Sequence, residues 1–522
     1  MRRFQVVKVV FYSRLANVYV LRSREKCGKQ EMREVEMTTH NYWIIGIIGF
    51  MLFAAHTDAS DGPSIEEYVT AQSATPSEVL GLLADTENIG ILYDVLCHPN
   101  CPLEVLIKNF TRFEGNTTGV LVLIAEHPRT TAESVELLVR LACSVDVEAR
   151  AVVGRNAKTP EKILRTLSQD SNERVRSAVA GNPNIPLEIL IPLAQDTHLR
   201  VRQAAVANPQ LPFHMLQKFI EDHQVRSHVA RNPNLSRECF VKLSKDTDEY
   251  IRGSVASNPN TPDDILLKLS KDPDEYVRLS ITRRSDIPAD ILLILVDDVT
   301  SIREKVAANP NITPIVLQKL LDALAVEDVE ANCEVRQAIA NNPNTPPEYL
   351  ARFVDDPNFA VRHYLARNSK TPPQTLAALA DDKAIALLHK PVSECYDDRV
   401  NVGEALRIIC VVAANPHTPS ETLEKLAEEG YDIQYRVAIN PNTPQKVLQK
   451  LAKEPVFMWI RERVASNPST SAKILDGLAE DTVLQMRYQV ALHANTSREA
   501  LTKLSQDPNQ YIRLVAQKRL AK

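Results

Sequence analysis

The sequence predicts an all-α protein, a right-handed α-solenoid of about sixteen two-helix repeats with a period near 26 residues. Three observations support this fold class. A proline-containing turn recurs along most of the chain, two short helix patterns follow each turn, and the chain has 32 prolines but only 14 glycines. Few glycines argue against an all-β protein rich in tight turns, whereas many prolines indicate regular punctuation of the chain.

The recurrent turn has the pattern Asn-Pro-Asn-Thr-Pro, and we use its first residue as the anchor of each repeat. Successive anchors are 24 to 29 residues apart, except for two longer intervals of 33 and 47 residues. A fixed period in this range is the signature of a stacked repeat array. The asparagines of the turn are expected to close it with their own side chains. The anchors are Gln72, His98, His127, Asn156, Asn182, Asn208, Asn232, Asn258, Arg284, Asn309, Asn342, Asn368, Asn415, Asn440, Asn467 and His493.

Residues 258–283 show the first helix of one repeat. Thr261 is expected to cap this helix, because threonine is a favoured N-cap and Pro262 after it suits the first helical position. Asp264 would complete a pattern similar to a capping box. Apolar residues at helical spacing then mark the buried face, and these are Ile265, Leu266 and Leu269.

The second helix of the same repeat follows Asp272, which is expected to act as its N-cap. Tyr276, Val277 and Ile281 are predicted to face inward. Two helices of about ten residues each cannot bury both of their apolar faces alone, so neighbouring repeats must stack into one continuous core.

The spacing, the turn and the helix patterns ILxxLxxD and VRxxVAxN resemble the leucine-rich repeat variant family over residues 68–519. The resemblance implies a curved α-solenoid similar to HEAT and armadillo arrays. The founding member of that family also binds an iron–sulfur centre through cysteines that precede its repeats. Here only Cys97 and Cys101 lie close together, with His98 between them, so the four-thiolate pattern is absent and neither a cofactor nor a metal is expected.

The N-terminus has a different composition from the repeats. Residues 1–41 form a basic lead that we expect to be disordered or absent from the mature chain, and residues 42–59 resemble a signal peptide or an anchor. The uncharged run Tyr42–Ala55 is shorter than the roughly twenty residues that span a bilayer, but it fits a signal core. Since the lead is long for a signal peptide, an exported or anchored chain and a cytoplasmic chain both remain open. Residues 60–522 are predicted to form the solenoid.

The arginine row is the clearest periodic charge, an arginine six residues before the anchor. Its structural interpretation is that each guanidinium bonds turn carbonyls or a neighbouring acid; its functional interpretation is a surface for acidic partner segments or phosphates. The candidate partner residues are Arg176, Arg202, Arg226, Arg252, Arg278, Arg303, Arg336 and Arg362. A matching aspartate row contains Asp170, Asp196, Asp246, Asp272, Asp297, Asp356, Asp481 and Asp507, which need not pair with the arginines directly.

Two insertions interrupt the period. Residues 322–333 are acidic and are predicted to form a solvated loop. Residues 381–402 interrupt a repeat between its two helices, and they are either a loop that carries specificity or a tolerated surface insertion.

No catalytic signature of the HExxH, P-loop, GxGxxG or GxSxG type occurs in the sequence, so no enzymatic activity is expected. The predicted function is an interaction scaffold that presents a curved repeat surface to a protein or peptide. Phosphate or nucleic-acid binding through the arginine row is a second hypothesis, which the net charge of −5 disfavours. A redox protein with an iron–sulfur centre, by family analogy, is a third. Membrane association would involve residues 42–55 only.

Overall fold

The computed structural model describes residues 65–86, 88–113, 120–127, 135–326, 332–381, 399–454 and 457–521. Glu67–Lys522 forms one compact unit, which contains the repeats, and Met1–Glu66 is a separate unit. The predicted lead and the signal-like segment lie outside the described residues. In the ranges that are described, no helix has the length and apolar character needed to cross a bilayer.

The described residues form helices and no β-strand, which confirms the predicted all-α class and the solenoid of two-helix repeats. The first half of the array contains α1 (Ile65–Ala71), α2 (Ser77–Leu83), α3 (Ile89–Cys97), α4 (Leu103–Phe113), α5 (Val120–Glu126), α6 (Val135–Ala142), α7 (Val147–Arg155), α8 (Glu161–Leu167), α9 (Glu173–Ala180), α10 (Leu187–Leu193), α11 (Leu199–Ala207), α12 (Phe213–Phe219), α13 (Arg226–Ala230), α14 (Arg237–Leu243), α15 (Glu249–Ser257) and α16 (Asp263–Leu269). The second half contains α17 (Glu275–Ile281), α18 (Ala289–Leu295), α19 (Thr300–Ala308), α20 (Pro314–Val326), α21 (Cys333–Asn341), α22 (Pro347–Leu350), α23 (Phe359–Arg367), α24 (Pro373–Leu379), α25 (Arg399–Ala414), α26 (Ser420–Leu426), α27 (Tyr431–Ile439), α28 (Gln445–Leu451), α29 (Met458–Ser466), α30 (Ala472–Leu478), α31 (Leu484–Leu492), α32 (Arg498–Leu504) and α33 (Gln510–Leu520). Even-numbered helices are the first helices of repeats and odd-numbered helices are the second ones.

The core lies between the two layers of helices. In α16 the predicted apolar set is confirmed, and Ile265, Leu266 and Leu269 are all buried. In α17 the inward residues are Val277 and Ile281, but the prediction for Tyr276 is wrong. Tyr276 is only half-buried and its ring packs against that of Tyr250, with centroids 5.1 Å apart. Because Val277 and Ile281 are four residues apart, they define the buried face, and the preceding residue points about 100° away from Val277.

The first helix begins differently from the sequence prediction. Thr261 does not cap α16, which begins at Asp263 after Pro262 and has no side-chain cap. Instead, the Thr261 hydroxyl donates a 2.5 Å hydrogen bond to the carbonyl of Val255 near the end of α15. The last carbonyls of a helix have no partner inside that helix, so a buried hydroxyl satisfies one of them. Threonine is therefore selected here by the helix that ends rather than by the helix that begins.

The N-cap of the second helix lies two residues after its predicted position. Asp274, not Asp272, caps α17 by accepting a 2.8 Å hydrogen bond from the Tyr276 N–H. Asp272 accepts from the Asp274 N–H at 2.9 Å, so it closes the turn before the helix. This arrangement leaves the second oxygen of Asp272 available for a contact with another repeat.

The anchor side chains form a buried row of hydrogen bonds that joins each repeat to the preceding one. Asn258 Oδ1 accepts from the Asn260 N–H at 3.0 Å, which is the local turn closure that the sequence predicted. Its Nδ2 group donates to the carbonyls of Ala230 and Asn232, both at 2.9 Å. The same side chain therefore closes its own turn and bonds the turn of the repeat before it.

Histidine and arginine can replace asparagine in the anchor row. His493 Nε2 lies 2.8 Å from the Asn467 carbonyl, and its Nδ1 accepts from the Asn495 N–H at 3.1 Å. Arg284 donates to the Asn258 carbonyl in the same way. Arg519, which lies 26 residues after His493 and bonds its carbonyl, extends the row by one position that the sequence reasoning missed.

The second helices of neighbouring repeats lie closer together than the first helices do. Small residues permit this approach: a Cβ atom on Gly154 of α7 would lie only 3.0 Å from Val179 Cγ2 of α9. The layer of second helices is therefore the more closely packed of the two layers.

The two insertions differ from each other. Part of the predicted loop at 322–333 is helical, because α20 continues to Val326 and α21 begins at Cys333, and residues 327–331 lie outside the described residues. The continued apolar pattern of the segment explains this extension of α20. For the insertion at 381–402, α24 ends at Leu379 and α25 begins at Arg399, and residues 382–398 lie outside the described residues.

The first and last repeats of the array are in direct contact. The Tyr68 hydroxyl of α1 donates to Glu462 Oε1 at 2.9 Å and accepts from Gln489 Nε2 at 2.9 Å. Lys518 Nζ donates to Glu78 at 2.6 Å. The second-helix face of α29 and α31 thus already binds another part of the chain through a tyrosine.

Candidate functional site

The arginine row lies on the second helices, where most of the guanidiniums connect two repeats. Arg176 donates from Nε and Nη2 to the carboxylate of Asp196 in the next repeat, at 2.8 and 3.0 Å. Its Nη1 group donates to the carbonyls of Asp170 and Ser171, at 2.9 and 3.2 Å. The arginine and aspartate rows therefore pair directly, although the sequence did not require them to.

Most of the other predicted partner-surface arginines repeat this arrangement. Carboxylate partners 20 residues later in the chain bind four of them, in the pairs Arg226–Asp246, Arg252–Asp272, Arg278–Asp298 and Arg336–Asp356. The remaining three use neutral acceptors, in the contacts Arg202 to Gln224, Arg303 to Asn332 and Arg362 to the carbonyls of Asp356 and Pro357. The side chains in these four ion pairs are at most 18% exposed, so the row presents little free guanidinium surface.

The prediction of the aspartate row is wrong for one of its members. Asp298, not Asp297, pairs with Arg278, through Nε at 2.7 Å. Asp297 is exposed and bonds Lys319 instead. The interval from Arg284 to the next anchor is one residue shorter than the usual period, so counting back from that anchor selects the wrong aspartate.

The pairing changes the acidity of the carboxylates. The hydrogen bond from Arg176, against the opposing effect of burial, holds the pKa of Asp196 below its usual value. For Asp272, burial alone would raise the pKa, but the hydrogen bonds from Arg252 and from the Asp274 N–H lower it overall. The pKa of Asp170 and that of Asp298 are lowered by the same balance of causes. These carboxylates therefore stay ionised in the folded array under conditions in which free aspartates begin to take up protons.

We expect the array to lose stability on acidification. A carboxylate with a lowered folded-state pKa contributes stability above its unfolded pKa of about 3.9, and this contribution is lost as the pH falls through the folded value. Thermal unfolding followed by circular dichroism should show a constant melting temperature down to about pH 5 and a steep fall below about pH 4. Asp196→Asn should melt lower at pH 7 and show a shallower fall. Exposed Asp263→Asn is the control, and an equally shallow fall for this variant would contradict the assignment to the row.

The second helices also expose side chains on the face opposite the core. This outer face is formed by the residues nine, eight, five, four and one before the anchor, which follow one stripe of each helix. Large aromatic side chains stand on it: Tyr250 is 60% exposed, Tyr431 48% and Trp459 44%. Aromatic residues so exposed on a regular surface are typical of interaction sites.

An aromatic cluster with adjacent arginines occupies this outer face on α27 and α29. The Tyr431 ring packs on Phe457 with centroids 3.9 Å apart, and Phe457 packs on Trp459 at 4.6 Å. The guanidinium of Arg463 lies 5.3 Å from the centroid of Tyr435, across the boundary between the two repeats. Sequence reasoning missed this cluster. A comparison of equivalent positions between repeats would have revealed the cluster. Positions that hold Ser or Gly in some repeats hold Tyr, Trp or Arg in the repeats of α27 and α29.

Three exposed arginines near the cluster differ from those of the row. Arg367, Arg407 and Arg436 lie on the outer face of α23, α25 and α27, and none of them forms an ion pair with a described carboxylate. Burial lowers the pKa of His363, and the charges of Arg367 and Arg407 lower it further, so both guanidiniums lie near one imidazole. Arg436 lies one helical turn after the exposed Asp432, and both charges act on the Cys410 thiol.

Cys97 and Cys101 differ in their exposure. Cys101 is buried and Cys97 is exposed. His98 between them is an anchor: its Nε2 lies 2.9 Å from the Gln72 carbonyl, and its Nδ1 accepts from the Asn100 N–H at 3.0 Å. Among the residues with described positions, no group of three or more His, Cys, Asp or Glu side chains could hold a metal ion.

A cleft of ≈ 560 Å³ lies between α28 and α30. Arg461 and Asp481 line it and pair with each other at 3.0 Å, and Arg461 also donates to the Glu454 carbonyl at 2.6 Å. The cleft is therefore part of the arginine row and not a separate site.

Comparison with known proteins gives no family model and no curated protein that matches this chain. Among solved structures, a leucine-rich repeat variant with a novel repetitive structural motif aligns at 18% identity over 62% of this chain and 88% of its own, with a TM-score of 0.19. UNC-45 from Drosophila melanogaster aligns at 12% identity over 93% and 82%, with a TM-score of 0.22. Kap121p bound to RanGTP aligns at 10% identity over 85% and 48%, with a TM-score of 0.23.

A designed armadillo repeat protein also aligns, at 15% identity over 74% of this chain and 98% of its own, with a TM-score of 0.07. Because all these TM-scores are far below 0.5, the architecture of this chain rests on its own helix packing. That packing defines the class: an all-α solenoid repeat protein.

Proposed function

We propose that this chain is a non-enzymatic scaffold that holds a protein or peptide partner on the outer face of its second helices. One observation carries the proposal: this face leaves the large aromatic side chains of Tyr250, Tyr431 and Trp459 60%, 48% and 44% exposed. A curved array of stacked repeats offers an extended surface of this kind. Side chains of tyrosine, tryptophan and arginine dominate the energy of protein interfaces.

The arginine row supports the partner surface only indirectly. A phosphate or an acidic segment that bound Arg252 would have to displace Asp272, whose carboxylate accepts two hydrogen bonds at 2.9 and 3.0 Å. The displaced carboxylate would remain largely buried, which costs free energy. We therefore assign the row to the cohesion of the array and the binding to the outer face.

The acidity of the buried groups also favours a binding role over catalysis. Burial raises the pKa of the Cys410 thiol to about 11 and that of the Tyr488 hydroxyl to about 12. Nucleophiles and general bases are activated by shifts towards neutral pH, and these two groups are shifted away from it. Neither group is prepared for reaction.

Site-specific photo-crosslinking tests the proposal. The crosslinker p-benzoylphenylalanine is placed in the full-length chain at Tyr250 on α15, or at Leu267 on the neighbouring first helix α16, which is 40% exposed. Irradiation of cells that express the chain should give a defined protein adduct from Tyr250 and none from Leu267. Equal yields of the same adduct from both positions, or adducts from Leu267 alone, would contradict the assignment to the second helices.

A further inference from the structure

The outer face is not uniform along the array, and its chemistry changes between α23 and α29. Over these four successive second helices it carries the exposed residues Arg367, Arg407, Arg436, Tyr431 and Trp459. We call this set the aromatic–arginine surface. It combines exposed guanidinium groups, which form no ion pair with a described carboxylate, with exposed aromatic area.

The members of this surface are linked from repeat to repeat through the residues next to them. Arg407 on α25 influences the pKa of His363 on α23, and Arg436 on α27 influences that of Cys410 on α25. Arg463 on α29 lies over the ring of Tyr435 on α27. Stacked helices are separated by about 8–10 Å, so the path extends over roughly 30 Å. An extended chain of about nine residues has this length at about 3.3 Å per residue.

The aromatic–arginine surface lies next to the contact of Tyr68 with α29 and α31. Arg463 Nη2 lies 3.4 Å from Glu462 Oε1, and the same carboxylate oxygen accepts the hydroxyl proton of Tyr68. The Tyr68 ring meets that of Tyr488 edge-on, with centroids 6.4 Å apart. The face of α29 and α31 therefore binds an aromatic side chain in this molecule, which shows how a partner's aromatic residue can be received next to it.

From these observations we propose that the aromatic–arginine surface binds an extended acidic peptide segment of a partner protein, about nine residues long and with at least one aromatic side chain. This inference rests on the scaffold function proposed above and gives that function a partner chemistry. Arg367, Arg407 and Arg436 pair with carboxylates of the segment, for which guanidinium groups have a matching fork geometry. Tyr431 and Trp459 cover its aromatic side chain.

A peptide suits this surface better than a single-stranded nucleic acid does. The rings of Tyr431, Phe457 and Trp459 are tilted by 55° and 44° to one another, so they do not present a row of parallel faces on which successive bases could stack. The exposed carboxylate of Asp432 stands beside Tyr431 and would repel a phosphate backbone. A peptide can place a neutral or basic residue at that point.

Fluorescence anisotropy with the full-length chain tests the proposal. The probe is a fluorescein-labelled nonapeptide of repeated Glu-Glu-Phe, and the comparison probes are repeated Gln-Gln-Phe, repeated Lys-Lys-Phe and a nine-nucleotide oligouridine. We expect the acidic peptide to bind at least tenfold more tightly than the other three. Tighter binding of oligouridine would assign the surface to nucleic acid, and equal binding of the acidic and glutamine peptides would overturn the proposal.

Two sets of substitutions locate the binding. The triple variant Arg367→Ala, Arg407→Ala, Arg436→Ala should weaken binding of the acidic peptide at least tenfold, and Trp459→Ala should do the same. The matched control replaces three exposed arginines elsewhere on the second-helix side, Arg174→Ala, Arg200→Ala and Arg231→Ala, and should change the affinity less than twofold.

Unchanged melting temperatures show that the variants are folded, and equal losses in both triple variants would overturn the proposal. Crosslinked adducts at Tyr250 without specific binding of the acidic peptide would leave the scaffold function in place and reject only its acidic-peptide form.

Discussion

Replacement of Asn258 by aspartate is expected to destabilise the array by about 3 kcal/mol, because two buried carbonyls lose their donors and face a carboxylate instead. In the structure Asn258 is 2% exposed and its Nδ2 group donates to the carbonyls of Ala230 and Asn232, both at 2.9 Å. Aspartate keeps the acceptor for the Asn260 N–H, so the local turn can still close. The variant therefore isolates the bonds between repeats from the bond within the turn. Urea unfolding followed by circular dichroism measures the loss.

Two matched variants serve as controls for Asn258→Asp. Asn258→His should cost only about 1 kcal/mol, because it loses one hydrogen bond but keeps both a donor and an acceptor. His98 and His493 already use Nε2 and Nδ1 in this way at other anchors. Asn260→Ala removes an exposed bond to the Pro233 carbonyl and should cost less than about 1 kcal/mol. If Asn258→Asp were as stable as Asn258→His, the row of anchors would not hold the repeats together.

The repeat and its core could be predicted because they depend on residue type and spacing within the chain. Burial of Ile265, Leu266 and Leu269 follows from helical periodicity alone. The same holds for the local turn closure by Asn258. In both cases the sequence pattern that predicts the result lies within a single repeat.

Contacts between repeats could not be predicted in this way. Thr261 has the sequence context of an N-cap, but the buried carbonyl of Val255 competes successfully for its hydroxyl. Asp272 was expected to cap a helix, whereas its second oxygen is used by Arg252 of the preceding repeat. The constant offset of 20 residues between the two rows is a signal that could have shown the pairing. Nothing in the period indicated that Tyr68 would contact α29 and α31.

The candidate surface was missed for a related reason. Periodic residues attract attention in a repeat protein, and the arginine row is the most regular feature of this sequence. Its regularity reflects a structural requirement that most repeats share, namely an acceptor for the guanidinium in the next repeat. A binding surface needs the opposite property, since it recognises a particular partner through residues that differ between repeats. Tyr431 and Trp459 occupy positions of this variable kind.

The second large loss of stability is expected when Arg252 is replaced. Arg252→Leu should destabilise the array by about 2–3 kcal/mol, because it leaves the charge of Asp272 without a partner in a site where that side chain is 8% exposed. Two further acceptors, the carbonyls of Asp246 and Thr247, lose the Nη1 donor at 2.9 and 3.2 Å. Urea unfolding at pH 7 measures the change. Lys242→Leu is the control, because it breaks the pair with Glu221, whose side chains are 60% and 72% exposed, and should cost less than about 1 kcal/mol.

The double variant Arg252→Leu, Asp272→Asn separates the two causes of the loss. The asparagine keeps the acceptor for the Asp274 N–H but carries no charge, so it should recover at least half of the stability if the unpaired carboxylate is the main cause. If the carbonyls of Asp246 and Thr247 matter more, the double variant will be as unstable as Arg252→Leu. Recovery of stability in the double variant would mean that each arginine of the row stabilises the array mainly by neutralising the charge of its aspartate. A single repeat that lost its arginine could then be repaired by loss of the aspartate.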